Sequence, residues 1–248
     1  METPAEQSGS SPGQHFPNQP NLRFDDSVLR LAMPVEAYDC MMDHGTLPQE
    51  CCYHADMMEV SMPNGIEHDA RAAVIHELFV RASVESGARV RSGTTIPVKS
   101  PAGATPERRH PDAHLYLDAA KIERLRLDRS DPVPPPDIVV EIDWTPIAPD
   151  LASQRLSVYA AVGVPEVWTW ERDGDGGRAR IHVLAGGGYE ERAGSAMVPP
   201  VRVVDLNVVL NEADEDRRMS STSDLAHRIA EHWRDSSSPM HGVKPERE

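Results

Sequence analysis

Two carboxylates stand two residues apart at the end of an apolar run, Ile138-Val139-Val140-Glu141-Ile142-Asp143. A continuous apolar run of this length reads as a central strand buried on both faces, and strand periodicity puts Glu141 and Asp143 on one face. Acids in such a strand are costly unless a cation or a hydrogen-bond donor answers them. A third acid, Asp112, follows Pro111 at the start of another short strand, Pro111 to Leu117. If the two strands are neighbours, Asp112 and Glu141 can hold a divalent cation through hard oxygen ligands, with waters left on the ion for hydrolysis. The alternative pairs Glu141 with an arginine and lets Asp143 cap the turn before Pro146. Spacing alone leaves both open.

Other groupings have a functional and a plainer reading. His110, Asp112 and His114 alternate along one strand face, which suits a transition metal and a different metal hydrolase, or simply a packed strand. Cys40, Cys51 and Cys52, with His44 and His54, offer soft ligands, but adjacent cysteines do not easily ligate one ion. The neighbouring Met41, Met42, Met57 and Met58 point instead to core packing. With three cysteines and no CxxC spacing, neither a disulfide framework nor a zinc knuckle is expected. Arg108, Arg109, Arg124, Arg126 and Arg129 flank the Pro111 to Leu117 strand and suit phosphate contacts or a solvated face. Lysine chemistry has three places to come from: Lys99, Lys121 and Lys244.

The elements that must position these residues follow from periodicity. Residues 66–86 carry Val74, Ile75, Leu78, Phe79 and Ala82 at helical spacing and close on Gly87. Ala88 to Val98 is alternating and β-branched, and reads as a strand pairing with 111–117. The proline run at 132–136 cannot be helical and delivers the chain into the central strand. Residues 150–162 read as a helix stopped by Gly163, after which Pro165 leads into a strand at 166–171, giving a β-α-β unit. A meander over 179–184 and 189–192 and a terminal helix over 224–233 complete the chain. The fold class expected is α/β, a mixed central sheet flanked by helices. Its organisation is a disordered tail at 1–22, one domain at 23–212, an acidic linker and terminal helix at 213–234, and a second disordered tail at 235–248.

Charge constrains the partners. The net charge of the chain is −15, and residues 1–70 hold 12 acids against Arg23 and Arg30 alone. Such a chain is a poor generic binder of nucleic acid, because non-specific affinity comes from Lys and Arg on phosphates. No run of 18 apolar residues and no basic-then-apolar N-terminus occurs, so a membrane partner is not expected and the cytoplasm is.

The segments PPPDIVVEID (134–143) and RLSVYAAVGVPEVWTWE (155–171), with PDAHLYL (111–117) upstream, resemble the Uma-two family of restriction endonucleases within the PD-(D/E)xK nuclease superfamily. The resemblance extends back through MMEVSMPNGIEHD (57–69), where the family has a strand, a proline and a helix with an early histidine. It spans roughly 50–200, and GVPEVW is its most specific piece. It implies a restriction-endonuclease-like core, Mg2+ as cofactor with Mn2+ as substitute, DNA as partner, a homodimer, and hydrolysis of phosphodiester bonds. Carried onto this chain, Asp112 and Glu141 bind the metal. The superfamily lysine falls on Asp143, or, where relatives carry it on the next helix, on Arg155. Helical spacing sets Arg155 with Leu151, Val158 and Val162, facing the sheet. An arginine keeps the charge but cannot share a proton with water as a lysine can, so the resemblance implies either an impaired endonuclease or an inactive nuclease-fold module for binding or regulation. Lys99 is the candidate to take the lysine's role, with Arg108 and Arg109 as phosphate contacts.

Overall fold

A computed structural model of the chain describes residues 23–25, 28–44, 51–54, 56–61, 66–93, 98–99, 107–127, 133–143, 149–174, 176–213 and 218–237. The expected tail at 1–22, most of that at 235–248, and Lys244, Arg129 and Pro146 lie outside the described residues.

The elements in chain order are β1 (Arg23–Asp25), β2 (Val28–Ala32), α1 (Val35–Asp43), β3 (Cys51–His54), β4 (Met57–Ser61), α2 (Ile66–Ser86), β5 (Arg91–Gly93), β6 (Val98–Lys99) and β7 (Glu107–Arg109). After these come β8 (Ala113–Tyr116), α3 (Ala119–Leu127), β9 (Ile138–Asp143), α4 (Pro149–Val162), β10 (Glu166–Asp173), β11 (Gly176–Ala185), β12 (Gly188–Arg192), α5 (Val203–Asn211) and α6 (Arg218–Ser237). Among the described residues they form two six-stranded sheets, ordered β1-β2-β4-β3-β7-β6 and β12-β11-β10-β9-β8-β5. The chain is a mixed α/β protein, as expected.

The second sheet holds the core. β9 lies between β10, its parallel partner, and β8, its antiparallel one. The parallel pairing requires a crossover, and α4 supplies it. Val139 and Val140 are both buried, one on each face of β9. Val140 and Ile142 face α2, α5 and α6 in a large cluster with Leu78, Phe79, Trp168, Trp170, Leu206 and Ile229. Val139 faces the other way, with Tyr159, Val164 and Val167 under α4. Gly177 is required where the Trp170 ring crosses β11, since a Cβ there would stand 2.0 Å from the ring.

Helix α4 ends in a Schellman arrangement. Val164 N–H reaches the Tyr159 carbonyl at 3.0 Å and Gly163 N–H the Ala160 carbonyl at 3.0 Å, with Gly163 at φ 77°. Pro165 then starts β10. The adjacent Glu166 is fully buried: it accepts the amides of Ala196 at 2.9 Å and Met197 at 3.2 Å, and the Trp168 indole N–H. The GVPEVW sequence is therefore a structural corner that stops a helix, launches a strand and pins a distant loop.

Several features differ from the periodicity. The expected strand at 88–98 divides: β5 pairs with β8, while β6 pairs with β7 in the first sheet. Helix α6 runs on to Ser237, so residues 235–237 are helical rather than tail. Leu151, expected on the buried face of α4, is 45% exposed, because the first turn stands clear of the sheet, with Pro149 and Asp150 exposed beside it.

Candidate active site

Alternation along β9 sends Val139, Glu141 and Asp143 toward α4, and the buried positions of α4 are Arg155, Val158 and Tyr159. The two elements meet in a charged contact. Arg155 forks onto Asp143, donating from Nη1 to Oδ1 at 2.8 Å and from Nη2 to Oδ2 at 2.6 Å. Its Nη1 also lies 3.7 Å from Glu141 Oε2. The hydroxyl of Tyr159, one turn along α4, donates a short hydrogen bond to Glu141 Oε1. Asp112 sits just before β8, one residue past the Ala113 to Val140 register pair and so beside Glu141. One of its oxygens accepts the Ile142 amide at 2.6 Å, and the other faces His68 Nε2 at 3.2 Å. The structure thus gathers Asp112, Glu141, Asp143 and Arg155, and adds His68 and Tyr159. His68 had a signal in the helix start of the 57–69 segment, and Tyr159 had one in its i+4 spacing from Arg155.

The electrostatics follow from burial. Burial raises the Glu141 carboxyl, Asp112 and Asp143 add to the rise, Arg155 and the Tyr159 hydroxyl oppose it, and together they leave it at about 7. Burial works against the charge of Arg155, but Glu141 and Asp143 outweigh it and hold the guanidinium protonated. Burial and the Glu141 charge raise the Tyr159 hydroxyl well above its ordinary value, so it is a donor throughout the physiological range. For His68, burial favours the neutral ring, yet Asp112 and Asp69 prevail and raise it.

Of the remaining expected site residues, Arg109 is near enough to act on the Tyr159 hydroxyl through its charge, and β6, which carries Lys99, packs against α4. The Arg108 guanidinium grips Asp39 at 2.9 and 2.8 Å, so it is held by a carboxylate of α1. Arg109 reaches Cys52 Sγ at 3.7 Å. Arg124 is exposed on α3. Lys99 stands opposite Arg108 in the first sheet, and Lys121 pairs with Asp137 at 2.5 Å. His110 and His114 do not make a metal site with Asp112: His110 Nε2 meets the Tyr38 hydroxyl at 3.3 Å, while His114 is buried against Tyr116, its Nδ1 without a partner among the described residues. Burial pushes His114 down to about 4. Cys51 packs as expected against Met42 and Tyr38, Cys52 is half-buried and Cys40 is exposed, and none of the three is in a disulfide.

Among the described residues no three His, Cys, Asp or Glu side chains converge as ligands for a metal ion. Asp143 gives both oxygens to Arg155, Glu141 gives one to Tyr159, and Asp112 gives one to a backbone amide. Mg2+ takes six oxygens, usually one or two carboxylates and the rest waters, and here the guanidinium already stands among the acids as their cation. With both oxygens of Asp143 on Arg155, Asp112 and Glu141 are the acids that would hold Mg2+.

The profile of the Uma2 family, described as a putative restriction endonuclease family, matches residues 43–211. The chain belongs to that family. The resemblance drawn from motifs over roughly 50–200 is therefore borne out. Among solved structures, a putative nuclease belonging to DUF820 from Anabaena variabilis ATCC 29413 is similar, at 14% identity and a TM-score of 0.45, over 76% of this chain and 98% of that one. Among curated proteins none matches. Within this Uma2 chain no described helix is long and apolar enough to cross a membrane.

Proposed function

We propose that this Uma2 protein is a nuclease-fold module that binds nucleic acid and whose hydrolytic centre is closed by Arg155. The observation that carries this reading is the bidentate grip of Arg155 on Asp143 with Glu141 3.7 Å away. That guanidinium supplies the positive charge the acids need, and it cannot give up a proton to become a base. A second reading, an Mg2+- or Mn2+-dependent endonuclease weakened by the arginine, is favoured by Asp112 lying beside Glu141 across the β8–β9 register.

Cleavage of duplex and single-stranded DNA in Mg2+ and Mn2+ separates the two. The closed-centre reading expects background cleavage from the natural chain and from Arg155→Lys. A rise of about 10²–10⁴-fold in Arg155→Lys, the size of a restored acid-base contribution, would sink it in favour of the endonuclease.

A further inference from the structure

A cleft of about 290 Å3 opens beside the centre, between the first half of α4 and strands β10 and β11. One wall is apolar: Pro149, Ala152 and Leu156. The other is polar, because the register that aligns Glu141 with Thr169 and Thr169 with Arg180 continues the stripe of the centre across the sheet. Arg180 lies 3.2 Å from Glu171, and Thr169 Oγ1 meets His182 Nε2 at 3.2 Å. Arg155 lines the cleft, and its Nε is buried with no acceptor among the described residues. A buried guanidinium N–H without an acceptor is costly, so a ligand that draws Arg155 toward the cleft gains by supplying one.

Charge decides what kind of ligand. Arg155 and Arg180 are balanced by Asp143 and Glu171, and Glu141 lies just beyond. A phosphate would bring more negative charge into a neutral cleft of an acidic chain. A flat, uncharged group with acceptors on one edge and donors on another gains from both sets. Guanine has that form: O6 and N7 accept from arginine, while N1–H and the N2 amino group donate to carboxylates. Enzymes that read a single unstacked base do so in a snug pocket with one apolar wall.

We propose that the cleft is a subsite for one unstacked nucleobase, guanine being the best match, with the Arg155 and Arg180 donors facing its acceptors and the Glu171 carboxylate facing its donors. This rests on the reading of the chain as a nucleic-acid-binding module and gives that module its ligand.

The test is calorimetric or NMR titration of the full chain with the four deoxynucleoside monophosphates and with deoxyribose 5-phosphate, which has no base. The guanine nucleotide should bind about tenfold or more tightly than the other three, in the range of one bidentate base contact, and the sugar phosphate should not bind. Ala152→Phe, which fills the cleft from its apolar wall, and Arg180→Gln should each weaken the guanine nucleotide about tenfold or more. Thermal melts identify any variant that fails to fold, and Ala152→Phe stands without Arg180→Gln. Equal binding of all four bases, sugar phosphate binding as tightly as the guanine nucleotide, or full binding by folded Ala152→Phe would each overturn the proposal. Neither metal nor cleavage enters this readout. An active Arg155→Lys would thus defeat the closed centre alone, and absent base preference would defeat the subsite alone.

Discussion

The two ends of the β9–β10 pair carry buried acids that are treated in opposite ways. At the start, Asp137 precedes β9 and accepts the amides of Leu117 at 2.7 Å and Asp118 at 2.8 Å, with Lys121 on its other oxygen. Glu166 at the start of β10 is held by two amides and an indole N–H. At the far end, Glu141 and Asp143 are answered by the side chains of Tyr159 and Arg155. Backbone donors are fixed by the fold, so acids that use them are pins. Side-chain donors can be rotated or replaced, so acids that use them form a centre whose charge balance depends on two residues of one helix.

The widest gap between the two ends should appear on removing a donor. Arg155→Ala leaves two acids without their cation and should cost about 3–5 kcal/mol in urea melts; a loss below about 1 kcal/mol would mean the far end is not held by charge. Removing a pin should cost less and touch only stability. Glu166→Ala, which deprives two backbone amides and an indole of their acceptor, is expected to lower stability by roughly 2–4 kcal/mol while the folded fraction keeps its base preference. A change in that preference would show that the two ends are not separate.

The titration of Glu141 sharpens the contrast further. Its folded value near 7 lies above the ordinary 4.5, so the folded state binds the proton more tightly than the unfolded chain. The associated stability is fully present below about pH 4.5 and is lost as pH rises through 7. Glu141→Gln should therefore gain on the natural chain between those values, by on the order of 1–3 kcal/mol. A difference that does not change with pH across this window would rule out a raised Glu141. The smallest effect expected is that of Tyr159→Phe, which removes one donor to a buried carboxyl and should cost about 1–2 kcal/mol, with the Glu141 midpoint moving upward.

Much of the second sheet is legible from sequence because its signals are strong: a two-sided apolar strand, a 3.6-residue period in α2 and α4, and Gly163-Val164-Pro165 as punctuation. The first sheet is not, since β1 to β4, β6 and β7 are two to five residues long and mix charges with sulfur-containing side chains. Helix α5 is hidden for another reason. Val201 to Leu210 is rich in β-branched residues, yet from Val203 on it folds as a helix: Asp205 accepts the amide of the N-cap Arg202 at 2.9 Å, and Leu206, Val209 and Leu210 fill the core. In the candidate site, the acids are visible as charges in an apolar strand. Thr169, Arg180 and His182 are invisible there, because only the register of β9, β10 and β11 brings them to the same face.

The parallel pairing of β9 with β10 also bears on the order of events in folding. Hairpins such as β11–β12 close over a two-residue turn, but β9 and β10 pair only across the 14-residue helix α4. Arg155 and Tyr159 ride on that helix, so Glu141 and Asp143 exchange hydration for these partners only when the crossover docks. If that docking comes late in folding, Arg155→Ala should raise the unfolding rate more than it lowers the folding rate.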